Sequence, residues 1–364
     1  MRDMATTVKR KETAETTAPV RQAGALRRVW AQIISNNYLV LITLVLFIAI
    51  YVAGSVIYKN KNFGTLNSFF DMLNSNPGLI VIAAGMTMVM ITGGIDISVG
   101  SQIALYCMML AFFIQNHNFN VYATIGIVLI TGIVFGLVQG TLVSYFKLQP
   151  FIVTLAGLFL GRGLTGMISQ NNINITNASF LALAQRRIYF PFGGYTNAAG
   201  VYQRPFIYLS VVIAVVVVVI VYVIMTWTKF GRSVYAVGGS EQSAMLMGLN
   251  TKRIKLMVYT FNGLLTAIGG FLFCLFSNSG TVDKASGFEI QAIASSVIGG
   301  AMLTGGVGNI LGSFIGMLVT TTIQKFVNFN GTLANGWPEI AVAAIMSFFI
   351  ILQAVLVFVR SKRK

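Results

Sequence analysis

The sequence predicts an all-α fold: a polytopic transmembrane bundle of about ten spans with both termini cytoplasmic. Three observations predict it. Hydrophobic residues make up 56% of the 364-residue chain and charged residues only 9%, and a mean hydropathy of +0.79 is far too apolar for a domain with a water-facing surface. The apolar residues fall in runs of about 20, the length needed to cross a hydrocarbon core. Basic residues gather at the ends of those runs, as membrane topology requires, so the net charge of +16 reports orientation and gives no nucleic-acid reading.

Taken in order, residues 1–37 are polar and basic and lack both an apolar core and a small-residue cleavage site. They read as a disordered cytoplasmic tail, not as a removable signal peptide. The transmembrane domain is expected over 38–359, with spans near 38–58, 77–95, 98–115, 121–146, 150–169, 206–226, 256–276, 288–304, 306–326 and 338–359. Two pairs of spans meet at the doublets Gly93-Gly94 and Gly305-Gly306, where glycine interrupts otherwise continuous apolar sequence. With the N terminus inside, seventeen Lys and Arg residues fall on cytoplasmic segments and seven outside, in accord with retention of basic loops. Residues 170–205 form a long, Asn-rich extracytoplasmic loop in which Pro191–Tyr195 suggests a turn within a small ordered element. Such a loop either receives an external partner or covers helix ends. Residues 360–364 close the chain as a basic cytoplasmic tail.

Glycine recurs at every fourth position in three runs, Gly132, Gly136 and Gly140, then Gly157 and Gly161, then Gly308, Gly312 and Gly316. That spacing lets helix backbones approach closely in lipid.

Catalytic chemistry is not apparent. The dipeptide Gly-Lys never occurs, so there is no Walker A site. Cys107 and Cys274 lie in apolar runs, and His117, the single histidine, has no partner at metal-ligand or triad spacing. Neither metal site nor enzyme is expected. Ionisable residues well inside the spans are nearly limited to Asp96 and Arg162, which make a poor ion relay. Energy for uphill transport would have to enter from outside the chain.

Two polar stretches stand apart. In Ile91–Ser101 (ITGGIDISVGS), Gly93 and Gly94 break the helix and Asp96 or Ser98 is placed to cap the next one, giving a capped turn that also suits a hinge or gate. The charged island 229–255 has Ser240 as a suitable N-cap, Glu241 where the helix dipole favours an anion, Ala244–Met247 to propagate a short helix, and Gly248 to end it. Met245, Leu246, Met247 and Leu249 give this island more apolar surface than a free loop should show.

On these two stretches the chain resembles the ribose-type family of ABC importer permeases. Gly93–Ser101 matches the family's pattern G-G-I-D-[IL]-S-V-G-S, and Val234–Asn250 matches V-Y-A-[VI]-G-G-[SN]-x-x-x-A-x-x-x-G-[LI]-N of its cytoplasmic coupling loop. Ala292–Gly312 is similar to its glycine-rich C-terminal half, and Val327–Leu333 is most like permeases for galactofuranose, fructose or related pentoses such as ribose and xylose.

The resemblance implies a multi-pass subunit of a bacterial plasma-membrane importer for a monosaccharide. Its implied partners are an ABC ATPase subunit, a second permease, homologous or identical, and an extracytoplasmic sugar-binding protein. No cofactor is then expected on this chain, ATP and Mg belonging to the ATPase. By the same analogy Ser240, Glu241, Gln242, Ser243, Ala244, Met245, Leu246, Met247 and Gly248 would couple to that ATPase. Thr92, Gln102, Gln139 and Asn262 are candidates for the sugar pathway, with helix–helix hydrogen bonding as the competing role for each. Two readings stand against this one: an ion-coupled secondary sugar carrier, and a non-transporting membrane scaffold or receptor.

Overall fold

The computed structural model describes residues 25–196, 202–331 and 336–361. It comprises two units, Met1–Tyr38 and Leu39–Lys364. In the first, residues 25–38 are helical and open α1 (Ala25–Ile57). Helix thus starts inside the stretch expected as tail, where Leu26, Val29, Trp30, Ile33 and Ile34 recur at helical spacing. Residues 1–24 of that tail, and 362–364 of the C-terminal one, lie outside the described residues.

The second unit continues with α2 (Leu66–Ser75), α3 (Pro77–Ile91), α4 (Val99–Ala111), α5 (Val121–Ser144), α6 (Pro150–Ile168), β1 (Ile173–Asn174), α7 (Ala178–Ala184) and β2 (Arg187–Tyr189). Strands β3 (Tyr195–Thr196), β4 (Tyr202–Gln203) and β5 (Phe206–Tyr208) lead to α8 (Leu209–Trp227), α9 (Lys229–Gly239), α10 (Glu241–Leu246) and α11 (Thr251–Ser277). Then come β6 (Ser279–Gly280), α12 (Phe288–Ile298), α13 (Ile310–Asn330) and α14 (Trp337–Ser361).

Among the described residues eight helices are long and apolar enough to cross a membrane, and a ninth if α2 and α3, bent by 63° at Asn76-Pro77, count as one. Proline at the first position of α3 lacks the N–H that would continue α2. Several expected spans are cut where the sequence signals a break. The span expected at 77–95 is helical only to Ile91, and the one at 288–304 only to Ile298. Its end is followed by Gly299 and Gly300, the latter at φ +94°. The 306–326 span begins instead at Ile310, because Asn309 caps it through Leu311 N–H at 2.9 Å. The 256–276 span reaches back to Thr251, capped by Asn250 through Arg253 N–H at 3.0 Å.

Every residue of α3 is buried, and α11 packs beside it at the centre. Around them α1, α5, α6, α8 and α14 turn Val45, Val134, Phe159, Val216 and Ile351 outward, the apolar exterior a lipid environment demands. Except for Gly308, which precedes α13 and meets the Ile91 side chain, the fourth-position glycines form the helix contacts their spacing predicts. A Cβ on Gly132 would lie 2.6 Å from the Gly263 carbonyl oxygen, and one on Gly136 would collide with that of Tyr259, so α5 and α11 meet backbone to backbone. Gly157 and Gly161 seat α6 against Ser98 and Ser101 at the start of α4. Gly312 and Gly316 do the same for α13 on Gly299 and Ser295.

The long connection at 170–205 is ordered where described. Arg187, Ile188 and Tyr189 pair antiparallel with Tyr208, Ile207 and Phe206, β3 pairs with β4, and β1 pairs with β6. Asn74 pins this element to α2, its Nδ2 donating to Phe206 O at 3.0 Å and its Oδ1 accepting from Tyr208 N–H at 2.9 Å.

Candidate functional site

The charged island folds as its local signals require. Thr228 caps α9 through Gly231 N–H at 3.2 Å, and Ser240 Oγ caps α10 by accepting from Ser243 N–H at 3.2 Å. Gly248, at φ +81°, turns the chain out of α10 in the left-handed region that L side chains resist. Glu241 in the first turn pairs with Lys255 Nζ at 2.6 Å, which ties α10 to α11. Ala244 is fully buried, whereas Met245, Leu246 and Met247 are 58%, 84% and 69% exposed. Leu249, expected on the same face, instead packs against the core. The result is an apolar knob of three side chains flanked by Lys147, Lys252 and Lys255, which line a cleft of about 470 Å³ beside it. These cations come from the α5–α6 turn and the start of α11, two of the segments expected to be cytoplasmic, which share one end of the bundle.

Behind the knob three glycine doublets converge. Gly306 N–H donates to Ile91 O at 2.8 Å. A Cβ on Gly238 would overlap the Ile91 carbonyl oxygen, and one on Gly305 would lie 2.9 Å from Gly93 N and 3.0 Å from Gly238 O. Gly93, Gly305 and Gly306 all have positive φ, at +78°, +86° and +76°. Gly93-Gly94, Gly238-Gly239 and Gly305-Gly306 thus join the end of α3, the end of α9 and the α12–α13 break through bare backbone. Sequence reading found the two membrane breaks and the island separately and missed their meeting. Glycine doublets elsewhere, such as Gly269-Gly270, make the doublet alone a weak signal.

Immediately beyond the first doublet lies a buried polar network. Asp96 Oδ1 accepts from Ser98 N–H at 2.9 Å and Ser98 Oγ at 2.5 Å, and Oδ2 accepts from Asn262 Nδ2 at 2.7 Å. Ser98 Oγ in turn accepts from Gln102 Nε2 at 2.7 Å and Gln139 Nε2 at 2.8 Å, and Tyr106 OH donates to Gln102 Oε1 at 2.9 Å. Asp96, Ser98, Gln102, Gln139, Asn262 and Tyr106 are all at most 4% exposed.

Three of the four pathway candidates therefore sit inside a buried knot joining α4, α5 and α11, Gln139 and Asn262 through bonds between segments and Gln102 through bonds along α4. Thr92 stays outside it, half-buried, its hydroxyl donating to Val89 O at 2.7 Å. Asp96 does not cap α4 in the usual way; its carboxylate braces the Ser98 N–H one residue before the helix. Two polar atoms at the knot, Tyr259 OH and Asn262 Oδ1, have no partner. Tyr106 was missed in the sequence because a tyrosine in an apolar run reads as bulk. Its spacing of four from Gln102 was the available signal.

Arg162 is held elsewhere. Its guanidinium donates to Val282 O, to Lys284 O at 2.7 Å and to Ser286 Oγ at 3.0 Å. Asp96 and Arg162 thus belong to separate networks.

A family model described as "Branched-chain amino acid transport system / permease component" matches residues 68–358, which takes in the knot, the glycine junction and the knob. The chain belongs to this permease family. Relatives place the permease on the ribose-type branch of ABC importers. It is 34% identical over 312 residues to the inner membrane ABC transporter permease protein YjfF of Escherichia coli K12, covering 85% of this chain and 91% of that one. It is 33% identical to the fructose import permease protein FruG of Bifidobacterium longum (89% and 93% covered) and to the ribose import permease protein RbsC of E. coli K12 (87% and 92%). No solved structure matches the permease.

Proposed function

We propose that this permease is the membrane subunit of an ATP-driven importer that carries a monosaccharide across a bacterial plasma membrane. The observation that carries the reading is the α10 knob. Three large apolar side chains stand in solvent on a capped helix, and the preceding helix touches both membrane breaks through Gly238. Exposed apolar surface of this kind marks a docking site. In this reading an ABC ATPase subunit covers Met245, Leu246 and Met247 and binds ATP and Mg itself. Its closure moves α10 and α9, and the glycine junction passes that movement to the ends of α3 and α13, shifting the balance between inward-open and outward-open forms. A second permease, identical or homologous, completes the pathway, and an extracytoplasmic binding protein delivers the sugar. In this reading the short apolar helix α12 makes the tenth crossing, and α10 and both termini are cytoplasmic.

The relatives' names support a sugar of the fructose or ribose class, and the resemblance at Val327–Leu333 keeps xylose and galactofuranose as candidates. The family model's description names branched-chain amino acids, but an identity of 33% along most of the chain to both fructose and ribose permeases favours the sugar. An ion-coupled carrier is less well supported, since Asp96 and Arg162 form no common relay.

The test is Leu246→Asp in the reconstituted importer. A charge placed in a docking hot spot should lower sugar-stimulated ATP hydrolysis and uptake about tenfold or more while the chain still inserts. Gly248→Pro and Glu241→Lys should act in the same direction. Normal uptake by Leu246→Asp in membrane vesicles would remove the coupling assignment, and ion-driven uptake by the chain alone in liposomes would establish the carrier instead.

A further inference from the structure

At the far end of the bundle from α10 the structure holds a cavity of about 680 Å³ between α2 and α13. The separation is large, because α8 and α11 each have one end near the α9–α10 segment and the other at the cavity. The 27 residues of α11 span roughly 40 Å at 1.5 Å per residue. Two polar stripes face each other across the space. On α13, Thr321, Gln324, Lys325 and Asn328 follow the i, i+3, i+4, i+7 spacing of one helix face, and on α2 Asn67, Ser68, Asp71 and Ser75 do nearly the same; all line the cavity. Polar residues set this way in membrane-embedded helices face an interior or a pathway and mark function.

Ser75, Thr321 and Asn74 are engaged by backbone groups, but other groups in this cavity are unspent. Ser68 is 5% exposed and its Oγ has no hydrogen-bond partner, nor has the buried Asn67 Oδ1. Gln324 and Asn328 make no side-chain hydrogen bond within the described residues. Both ammonium groups, by contrast, are engaged. Lys325 Nζ donates to Ser68 O at 2.5 Å and lies 3.9 Å from Asp71, and Lys61 Nζ donates to Phe329 O at 2.5 Å. Four rings, Phe206, Tyr208, Phe276 and Phe329, complete the walls.

We infer that this cavity is a sugar subsite of the permease itself, one that takes a neutral polyhydroxylated ring. Free amide and hydroxyl groups suit the hydroxyls of such a ligand, and aromatic faces suit its C–H surface. Lys325 is paired to Asp71 and the Ser68 carbonyl, so the lining carboxylate is already matched, and Lys61 alone does not make the cation–anion clamp that a zwitterionic amino acid needs. The volume lies within the range of about 300–1,000 Å³ usual for small-molecule sites. The subsite rests on the sugar-importer reading for its ligand class, but it can fail independently.

The permease in lipid nanodiscs is titrated with D-fructose, D-ribose, D-xylose and, as a counter-probe, L-leucine, binding being followed by saturation-transfer NMR. Binding of at least one sugar and not of leucine is expected, with affinity lowered about tenfold by Asn67→Leu combined with Gln324→Leu, two buried hydrogen bonds being lost. Asn328→Ala, at an exposed position that cannot threaten folding, should weaken it about threefold. Three results would each overturn the subsite: no sugar bound, leucine bound as well as sugar, or sugar binding unchanged in both variants. Loss of stimulation by the binding protein with sugar affinity intact would also overturn it and make the cavity a docking surface. Uptake through the wild-type importer separates the two claims. A chain that binds sugar but imports none keeps the subsite and loses the importer, and one that imports equally well when carrying Asn67→Leu and Gln324→Leu keeps the importer and loses the subsite.

Discussion

The knot around Asp96 and the cavity between α2 and α13 are built from the same residue types and do opposite things. In the knot, Asp, Ser, Gln and Asn donate to and accept from one another across three helices. In the cavity, Asn, Ser and Gln side chains end in space. Polarity inside a membrane bundle therefore does not by itself name a pathway. A cluster whose groups pair with one another locks helices together, leaving Tyr259 OH and Asn262 Oδ1 over in the knot, and unpaired groups beside a void are where a ligand fits.

The comparison predicts opposite signs for removing polar groups from the two places. Asp96→Leu should have the largest effect. It strands the Ser98 N–H and hydroxyl and the Asn262 amide in the core, at about 1–3 kcal/mol for each buried group left unpaired, and thermal unfolding in detergent should show a loss of several kcal/mol. Asp96→Asn, which keeps an acceptor, should recover most of it. A stability like the wild type's in Asp96→Leu would mean the knot locks nothing.

Gly238→Val comes next. Its Cβ would overlap the Ile91 carbonyl, so α9 or α3 must move, at a cost of ~1–3 kcal/mol by overpacking. Uptake should fall further than stability does, since the junction is the proposed transmitter. Gly248→Ala is milder. Nothing lies within 4 Å of a Cβ there, and only the φ of +81° opposes the substitution, for about 1 kcal/mol measured by the same unfolding experiment. Ser68→Ala should be the smallest and of the other sign. Deleting an orphaned buried hydroxyl is expected to leave stability unchanged or raise it by up to ~1 kcal/mol, while weakening sugar binding in the nanodisc titration.

Local features were the readable ones. The Ser240 cap, the short helix and the Gly248 stop were all visible in nine residues, because each depends on contacts within a turn. The glycine faces of α5, α6 and α13 were visible for the same reason, and they found their partners as expected. Elsewhere the apolar pattern misled. It ran through Gly93-Gly94 and Gly305-Gly306 as though the spans were nearly continuous, whereas the backbone leaves the helix for several residues at both places. The pathway candidates were chosen for polarity alone, and polarity did not distinguish Gln102 in the knot from Gln324 in the cavity. The α13 stripe Thr321, Gln324, Lys325, Asn328 was present in the sequence at helical spacing, but Lys325 was only counted among the seven outside cations and the stripe passed unremarked.

By itself the sequence determined which segments face lipid, where most helices begin and end, and which short helix stands in solvent with its apolar side outward. Hydropathy, capping and left-handed glycine are decided by a residue and its near neighbours. Only the tertiary structure decided that three glycine breaks touch, that Asp96 meets Asn262 across 166 residues, and that α2 and α13 leave a polar void between them. A buried polar group is locked or available according to what lies opposite it, and that partner is set by how helices distant in the chain pack together.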